Sequence, residues 1–482
     1  MRDISRRALD TAVQRGASYA DVRVLRRAEE SINVKSGRVE GVSFGESEGF
    51  GVRVLVDGAW GFASSSPLNA DEADRVAAEA VRIARASATA TRERVELDGR
   101  PPATGRYETP LVEDPFAVPV DRKIADLLAA DKRMRAVNGI GFTEARYNAQ
   151  REWKDFAASD GSETEQVITH TGASVEANAI SGDEMQRRSF PDWGGGYNAA
   201  GYEYVRKLDL AGRAEEVASE AVELLSAPQC PPGRTTLVIH PSQLYLQVHE
   251  SCGHPIELDR VFGTEASYAG TSFLTTDKLA DGFQYGSEIV NIVADATAPG
   301  GLGTFGWDDE GVAAQSVPIV QSGRFVGYLS SRETAPRVGR QSGGAMRADG
   351  WNRIPLIRMT NVNLLPQPGM SLADIVADTD DGLLLASNRS WSIDDRRLNF
   401  QFATEVAREI KGGKVGRLLK NPTYTGITYE FWRSCDAVAD ASDYRMLGTP
   451  NCGKGEPGQI AHVGHGVSGA RFRDVQVGVG RW

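Results

Sequence analysis

The sequence places two histidines, His249 and His254, five positions apart in a segment predicted to be helical. The apolar run from Arg234 to His240 is typical of a short buried strand, and Pro241-Ser242 predicts a turn into a helix N-cap. Because an α-helix turns about 100° per residue, five steps separate two side chains by roughly 140°. The two rings therefore converge only if a π-bulge inserts one residue, or if Gly253 ends the helix and His254 folds back.

The hexapeptide His249-Glu-Ser-Cys-Gly-His254 has the composition of a metal site. Imidazole is a favoured zinc ligand, and a carboxylate beside a ligand can take a proton from metal-bound water. The competing interpretation is that both histidines are core or capping residues that bind no metal. We treat His249 and His254 as candidate metal ligands and Glu250 as a candidate general base.

Composition limits the classes of protein that this chain can represent. Its 482 residues predict two or three domains, and 41% hydrophobic with 25% charged residues predict a globular protein. The sequence contains no run of 18 or more apolar residues, so it predicts no membrane span. Its amphipathic start predicts a cytoplasmic protein without a signal peptide. A formal net charge of -11 disfavours nucleic acid as a direct partner. The four scattered cysteines predict no disulfide framework.

Periodicity predicts an α+β fold. In residues 1–228, amphipathic helices alternate with long strands, which predicts an α/β sandwich of helices on an antiparallel sheet, with a possible subdivision near residues 98–120. Asn69 is a candidate N-cap within this part, and Asp57-Gly58 a candidate hairpin turn. The proline-rich segment 226–233 predicts a domain boundary. Residues 229–482 then predict a mainly antiparallel β domain that carries the metal-binding helix.

Several other motifs could also carry chemistry. Gly301-Leu-Gly-Thr-Phe-Gly306 matches a dinucleotide-binding pattern by its letters, but neither a strand precedes it nor a helix follows it. Cys452 lies among small residues that leave room for another group to approach its sulfur, although an inert buried thiol fits as well. His462 and His465 are candidate ligands or hydrogen-bond donors, and more often such residues are structural. The loop 189–196, with two aromatic residues, predicts a surface excursion or a substrate lid.

His249-Glu250-x-x-x-His254 together with the late Asn451-Cys-Gly-Lys-Gly455 resembles the TldD/PmbA family of metallopeptidases, on its catalytic, TldD-like side. The resemblance covers nearly the whole length, and the supporting segments are Tyr19-Ala-Asp-Val-Arg23, Gly51-Val-Arg-Val-Leu55, Gly58-Ala-Trp-Gly-Phe62, Asp308-Asp-Glu-Gly311 and Arg358-Met-Thr-Asn361. It implies zinc bound by His249, His254 and Cys452, with Glu250 as the general base. It also implies a homodimer, or a heterodimer with a PmbA-like subunit that lacks the motif.

These observations predict a zinc-dependent peptidase that hydrolyses small or unfolded peptides with metal-activated water. One alternative is a non-catalytic assembly or binding subunit whose structural zinc has a fourth protein ligand, Cys252 or His465. Another is a cysteine hydrolase in which Cys452 pairs with a histidine. For the oxyanion, the sequence offers only the candidates Arg358, Asn361, His462 and His465.

Overall fold

The structure is a computed structural model that describes residues 2–478. The N-terminal half contains, in chain order, α1 (Arg2–Gln14), β1 (Tyr19–Lys35), β2 (Arg38–Val56), β3 (Ala59–Ser65), α2 (Ala70–Ala88), β4 (Thr104–Glu108), α3 (Val120–Arg135), β5 (Ile140–Ala158), β6 (Glu163–Ser181), β7 (Glu184–Phe190), β8 (Gly196–Asn198), α4 (Tyr202–Leu208) and α5 (Leu210–Ser226).

The C-terminal half is richer in strands. It contains β9 (Gly233–Ile239), α6 (Pro241–Val248), a π-helix (His249–Gly253), a 3-10 helix (His254–Ile256), α7 (Leu258–Val261), α8 (Thr276–Ala280), β10 (Ile292–Asp295), β11 (Ser316–Gln321), β12 (Arg324–Phe325), a 3-10 helix (Ala335–Val338), β13 (Met346–Arg347), β14 (Leu356–Ile357), β15 (Val362–Leu364), α9 (Leu372–Ala377), β16 (Asp381–Ile393), β17 (Asn399–Lys411), β18 (Lys414–Leu419), β19 (Thr423–Ile427), α10 (Thr428–Arg433), β20 (Cys435–Val438), a 3-10 helix (Ala441–Asp443), β21 (Arg445–Lys454), β22 (Gln459–Val467) and β23 (Ala470–Gly478).

One twisted sheet organises the N-terminal half. Its strands run in the order β3-β2-β1-β5-β6-β4, with β7 and β8 also paired to β6, and only the β4–β6 pair is parallel. Helices α1 and α2 pack alanine and valine side chains against one end of this sheet, and α3 and α5 cover the other end. The predicted cap and turn are both present, because the Asn69 side chain accepts from the Glu72 N–H and Asp57 and Gly58 both adopt positive φ.

A second sheet encloses the core of the C-terminal half. Its strands β16, β9, β23, β19 and β17 pair in sequence, and β17 pairs again with β16, so the five strands form a closed ring. Every residue of α6 is buried against this core. Tyr424 on β19 fixes the helix, since its hydroxyl accepts from Gln243 Nε2 at 2.9 Å and donates to Gln247 Oε1 at 3.0 Å. The predicted α+β class, with antiparallel sheets and a C-terminal sheet that carries the helix, is confirmed.

A buried ionic cluster joins the two halves. The turn Asp308–Gly311 of the C-terminal half presents Glu310 to Arg53 on β2, at 3.1 Å, and Asp309 to Lys154 on β5, at 2.8 Å. Arg53 also binds Asp21 on β1 at 2.7 Å. Because an unpaired charge is costly away from water, these reciprocal pairs fix the turn against the N-terminal sheet.

Candidate metal centre

The helix that carries the histidines changes its winding at the motif. The N-cap of helix α6 is His240, whose Nδ1 accepts from the Ser242 N–H at 3.2 Å. The cap therefore comes just before Pro241-Ser242, where the sequence predicted the turn into the helix. From His249 the chain forms a π-helix, in which the His254 N–H donates to the His249 carbonyl five residues before it. This extra residue per turn brings the two rings to a centroid separation of 4.9 Å. Of the two arrangements that the spacing allowed, the structure has the π-bulge.

Gly253 makes this winding possible. A Cβ atom at this position would lie 2.2 Å from Met359 Sδ, well inside van der Waals contact. Met359 is itself fully buried, so it has little room to move. The glycine therefore lets the π-helix approach the segment that precedes β15.

Cys452 reaches the same place from the other end of the C-terminal half. It lies on β21, where the pairing with β22 shifts register between Thr449 and Cys452. Its Sγ is 3.7 Å from His254 Nε2, and the candidate ligand atoms of His249, His254 and Cys452 all lie within 4.8 Å of one another. Within residues 2–478 this is the one group of three or more His, Cys, Asp or Glu side chains that could hold a metal ion.

Hydrogen bonds determine which ring nitrogens are free. His465 Nδ1 donates to the Val362 carbonyl at 3.0 Å, so its Nε2 must accept a hydrogen bond from the His249 Nδ1–H, 2.8 Å away. His254 Nδ1 likewise donates to the Glu257 carboxylate at 3.2 Å. In its neutral form each candidate ligand therefore presents an unprotonated Nε2 to the cluster, and its Nδ1 is held by a partner of the kind that orients metal-bound histidines.

The donor set fits zinc. Zinc bonds of about 2.1 Å to nitrogen and 2.3 Å to sulfur, in tetrahedral geometry, place the two donor atoms about 3.6 Å apart. The observed separation of Cys452 Sγ from His254 Nε2 is 3.7 Å. Burial alone would raise the pKa of the Cys452 thiol, but the neighbouring His254 ring and Arg358 guanidinium outweigh it and lower the pKa. Burial also lowers the pKa of His249, which favours the neutral imidazole that a metal requires.

Glu250 lines the same cavity as the three donors and has a partner that the sequence alone did not reveal. Arg397, in the turn between β16 and β17, donates from a guanidinium N–H to Glu250 Oε2 at 2.6 Å. Burial would raise the pKa of Glu250, but the rings of His254 and His249 and the Arg397 charge lower it. The carboxylate is therefore ionised and fixed in orientation beside the donor atoms.

A cavity of about 280 Å³ opens onto the cluster. His249, Glu250, His254 and Cys452 contribute to its wall together with Arg397, and the remaining lining residues include Trp193, Gly194, Tyr245, Leu246, Trp391 and residues 448–451. Trp193 comes from the predicted loop 189–196, so this loop borders the cavity. The cavity at the cluster meets a larger, open cavity of about 810 Å³, and both are lined by Trp193, Gly194, Pro450 and Asn451.

The other candidates of the sequence analysis lie outside this cavity wall. His462 Nδ1 is 2.9 Å from His170 Nδ1. His465 Nε2 accepts a hydrogen bond from His249 Nδ1. Arg358 donates to the Cys452 carbonyl, and the Asn361 side chain is engaged by Gly303 and Thr304. Cys252 is buried, and burial raises the pKa of its thiol to about 12.

Nothing in the local sequence distinguished Arg397 from the other charged residues. The Arg397 side chain is 14% exposed and lies 147 positions after Glu250 in the chain, so only the ring of strands brings the two together. Glu257 could have been suspected from its position three residues after His254, since that spacing places two side chains on one helical face.

The fold and the site together define an α+β protein with a candidate His/His/Cys metal centre beside a carboxylate. Three family models match the chain: PmbA/TldA metallopeptidase domain 1 at residues 20–84, the central domain at 113–226 and the C-terminal domain at 232–478. The chain therefore belongs to the TldD/PmbA family of metallopeptidases.

Relatives at modest identity carry corresponding names. The chain is 29% identical over 448 residues to a metalloprotease of Methanocaldococcus jannaschii, covering 93% of this chain and 94% of that protein. It is 25% identical over 477 residues to a metalloprotease TldD homolog of Haemophilus influenzae, covering 97% and 94%.

Solved structures share the fold. TldE from Thermococcus kodakarensis has a TM-score of 0.74 at 15% identity and covers 98% of this chain and 99% of its own. A putative modulator of a DNA gyrase from Thermotoga maritima has a TM-score of 0.78 at 17% identity, covering 99% and 100%. Across residues 2–478, no helix is both long and apolar enough to cross a membrane.

Proposed function

We propose that this chain is a zinc-dependent peptidase that hydrolyses small or unfolded peptides, with His249, His254 and Cys452 as the zinc ligands. The observation that carries the proposal is the convergence of the donor atoms of His249, His254 and Cys452 within 4.8 Å of one another, at the wall of a cavity that Glu250 also lines. The names of the relatives support a peptidase, and the donor set supports zinc.

When bound, zinc supplies a Lewis acid that polarises a peptide carbonyl and acidifies water. Glu250 acts as the general base, because its carboxylate adjoins the donor atoms and is held ionised by Arg397. It accepts a proton from water and returns a proton to the leaving amine. Arg397 is the cation in the cavity wall that can also stabilise negative charge on the substrate oxygen.

The test is Glu250→Gln. We expect peptide cleavage, measured by mass spectrometry on an unfolded peptide mixture, to fall by at least about a hundredfold, since general-base catalysis contributes on that order. Zinc content by elemental analysis should remain one per chain, because Glu250 is not a ligand. Glu456→Gln, an exposed carboxylate on the same half, is the matched control and should cleave normally. Full activity in Glu250→Gln would remove the proposed base.

The alternative of a structural zinc in a non-catalytic subunit requires a fourth protein ligand. Both nitrogens of His465 are engaged, by His249 and the Val362 carbonyl, and Cys252 lies outside the cluster. This arrangement favours an open fourth position. Chelation tests it: a catalytic zinc should be removable with loss of activity while circular dichroism stays native, whereas loss of a structural ion would unfold the domain.

A cysteine hydrolase is the second candidate function. The 3.7 Å separation of Cys452 Sγ from His254 Nε2 and the lowered pKa of the thiol also suit a nucleophile and its base. Activity that survives a chelator but is lost to a thiol alkylator would favour this chemistry over the zinc peptidase.

For assembly, we propose a dimer in the cytoplasm, formed by two copies or with a PmbA-like subunit, and neither a nucleic acid nor a membrane as partner. The acidic net charge supports the exclusion of nucleic acid. Light scattering of the purified chain, alone and mixed with a PmbA-like subunit, would distinguish the two kinds of dimer, and a monomer in both samples would contradict the proposal.

A further inference from the structure

Two tryptophans face each other at the wall of the metal cavity. Trp193 lies in the loop after β7, and Trp391 lies near the end of β16 in the other half of the chain. Their rings form an edge-to-face pair with centroids 5.2 Å apart and planes inclined at 77°. Both line the same cavity as Glu250, so an aromatic surface built from two distant segments adjoins the proposed general base.

The position of Trp193 is fixed by the helix that carries the metal motif. Asp192, which is buried, accepts from the Gly194 N–H at 2.8 Å and from the Tyr245 hydroxyl at 3.4 Å. Tyr245 lies on α6, one turn before His249, and lines the cavity as well. The loop is thus tied to the same rigid element as the candidate ligand, which favours a built binding surface over a freely moving excursion.

Trp391 is 36% exposed, which is unusual for the largest apolar side chain. Its exposed area lies at a concave wall, where an apolar group of a ligand would remove it from water. Arg397, which also lines this wall, is paired with Glu250. The surface next to the proposed reaction centre is therefore aromatic and largely uncharged.

We propose that Trp193 and Trp391 form a specificity subsite that binds a large apolar or aromatic side chain of the substrate, at a position adjacent to the scissile bond. The inference rests on the proposed peptidase function and adds a substrate class to it. Edge-to-face tryptophans provide both a flat face and a ring edge, to which phenylalanine, tyrosine or leucine side chains pack well. Short acidic or small side chains gain little from such a surface.

The experiment uses the full-length, zinc-loaded protein and a set of unfolded peptides that differ at one position only, which holds Phe, Leu, Ala or Glu. We expect kcat/KM for Phe and Leu to exceed that for Ala and Glu by about tenfold when this position adjoins the cleaved bond, a ratio typical of apolar subsites. Trp391→Ala and Trp193→Ala should reduce this ratio towards one, and the Trp→Phe variants should retain most of it.

Trp153→Ala is the matched control. Trp153 is half-buried under the Arg26 guanidinium at 5.1 Å and lies outside the metal cavity, so its loss should leave the ratio unchanged. Equal kcat/KM for all four peptides, or a preference that persists in the Trp193→Ala/Trp391→Ala double variant, would overturn the subsite.

Binding separates this inference from the peptidase proposal. Calorimetry with zinc-loaded Glu250→Gln protein measures peptide affinity without turnover, so it decides the subsite even where no peptide is cleaved. Tighter binding of the Phe peptide than of the Ala peptide, lost in Glu250→Gln/Trp391→Ala, supports it. Equal affinity of the two peptides contradicts it, whatever the activity of the wild-type protein.

Discussion

At the scale of single residues, the candidate centre depends on side chains that do not touch the ion. His465 and Glu257 each accept a hydrogen bond from Nδ1 of a candidate ligand histidine, which in the neutral ring leaves Nε2 free for a metal. Glu257 is in turn held ionised, because Lys454 at 3.4 Å and the contact with His254 lower its pKa against the effect of burial. The donors are therefore oriented before any metal arrives, which reduces the free energy spent on ordering the site.

A pair of cysteine variants tests the thiol as a ligand. We expect Cys452→Ala to lose at least about tenfold in zinc affinity and nearly all activity, since a thiolate is removed from the donor set. Cys252→Ala, which removes another buried thiol from the same core, should keep its zinc. Competition with a chromogenic chelator measures both affinities, and equal affinities in the two variants would exclude Cys452 as a ligand.

The sequence alone was sufficient to propose His249, His254 and Glu250, because their chemistry is contained in six consecutive residues. Cys452 was included through a family resemblance. Arg397 and His465 acquire their roles only from the pairing of strands far apart in the chain, and no local pattern encodes that pairing. Roles that depend on long-range geometry are those that sequence reasoning failed to assign.

At the scale of elements, the π-helix is the feature that converts an unfavourable spacing into a site. Its cost is a poorer hydrogen-bond pattern than that of an α-helix, and π-turns accordingly concentrate at functional positions. The π-helix is buried on all sides. The Tyr424 hydroxyl holds α6, which leads into it, through Gln243 and Gln247. The sequence predicted that some irregularity must occur between the histidines, but the choice between a bulge and a helix end depended on packing at Gly253.

That packing yields a second prediction. Gly253→Ala would place a methyl group 2.2 Å from Met359 Sδ, so we expect a loss of about 1–3 kcal/mol in the free energy of unfolding and a marked loss of bound zinc. Denaturant unfolding and elemental analysis measure the two effects.

A double variant supplies the control. Met359→Ala alone leaves a cavity and should destabilise the protein, but Gly253→Ala combined with Met359→Ala should be more stable than the sum of the two losses. Strict additivity of the free energies would show that the two side chains do not compete for the same space.

At the scale of the whole molecule, the ionic cluster around Glu310 and Asp309 holds the two halves together across buried surface.

The α+β class was predictable because periodicity is a local property. The closed ring of strands was not, since β9 pairs with β16 and β23, which follow it by more than 140 and 230 positions.

Arg53→Met tests the cluster. It leaves Asp21 and Glu310 without their shared cation, so we expect a loss on the order of 3 kcal/mol in the free energy of unfolding. Faster hydrogen exchange should appear on both sides of the contact, in β2 and in the turn Asp308–Gly311. Arg75→Met breaks an exposed ion pair with Glu72 and should change neither quantity noticeably. If protection from hydrogen exchange in β2 and in the turn Asp308–Gly311 is the same in Arg53→Met as in the wild type, the cluster does not join the halves.

The separation of the three donors along the chain has a consequence for biosynthesis. His249 and His254 leave the ribosome some two hundred codons before Cys452, and β9, which leads into their helix, receives its partner β23 only when the final residues have been translated. A nascent chain thus lacks both the sulfur and the closing strand throughout elongation. In the proposed peptidase, zinc is consequently loaded only after translation, and a chain that is interrupted before Cys452 cannot hydrolyse peptides.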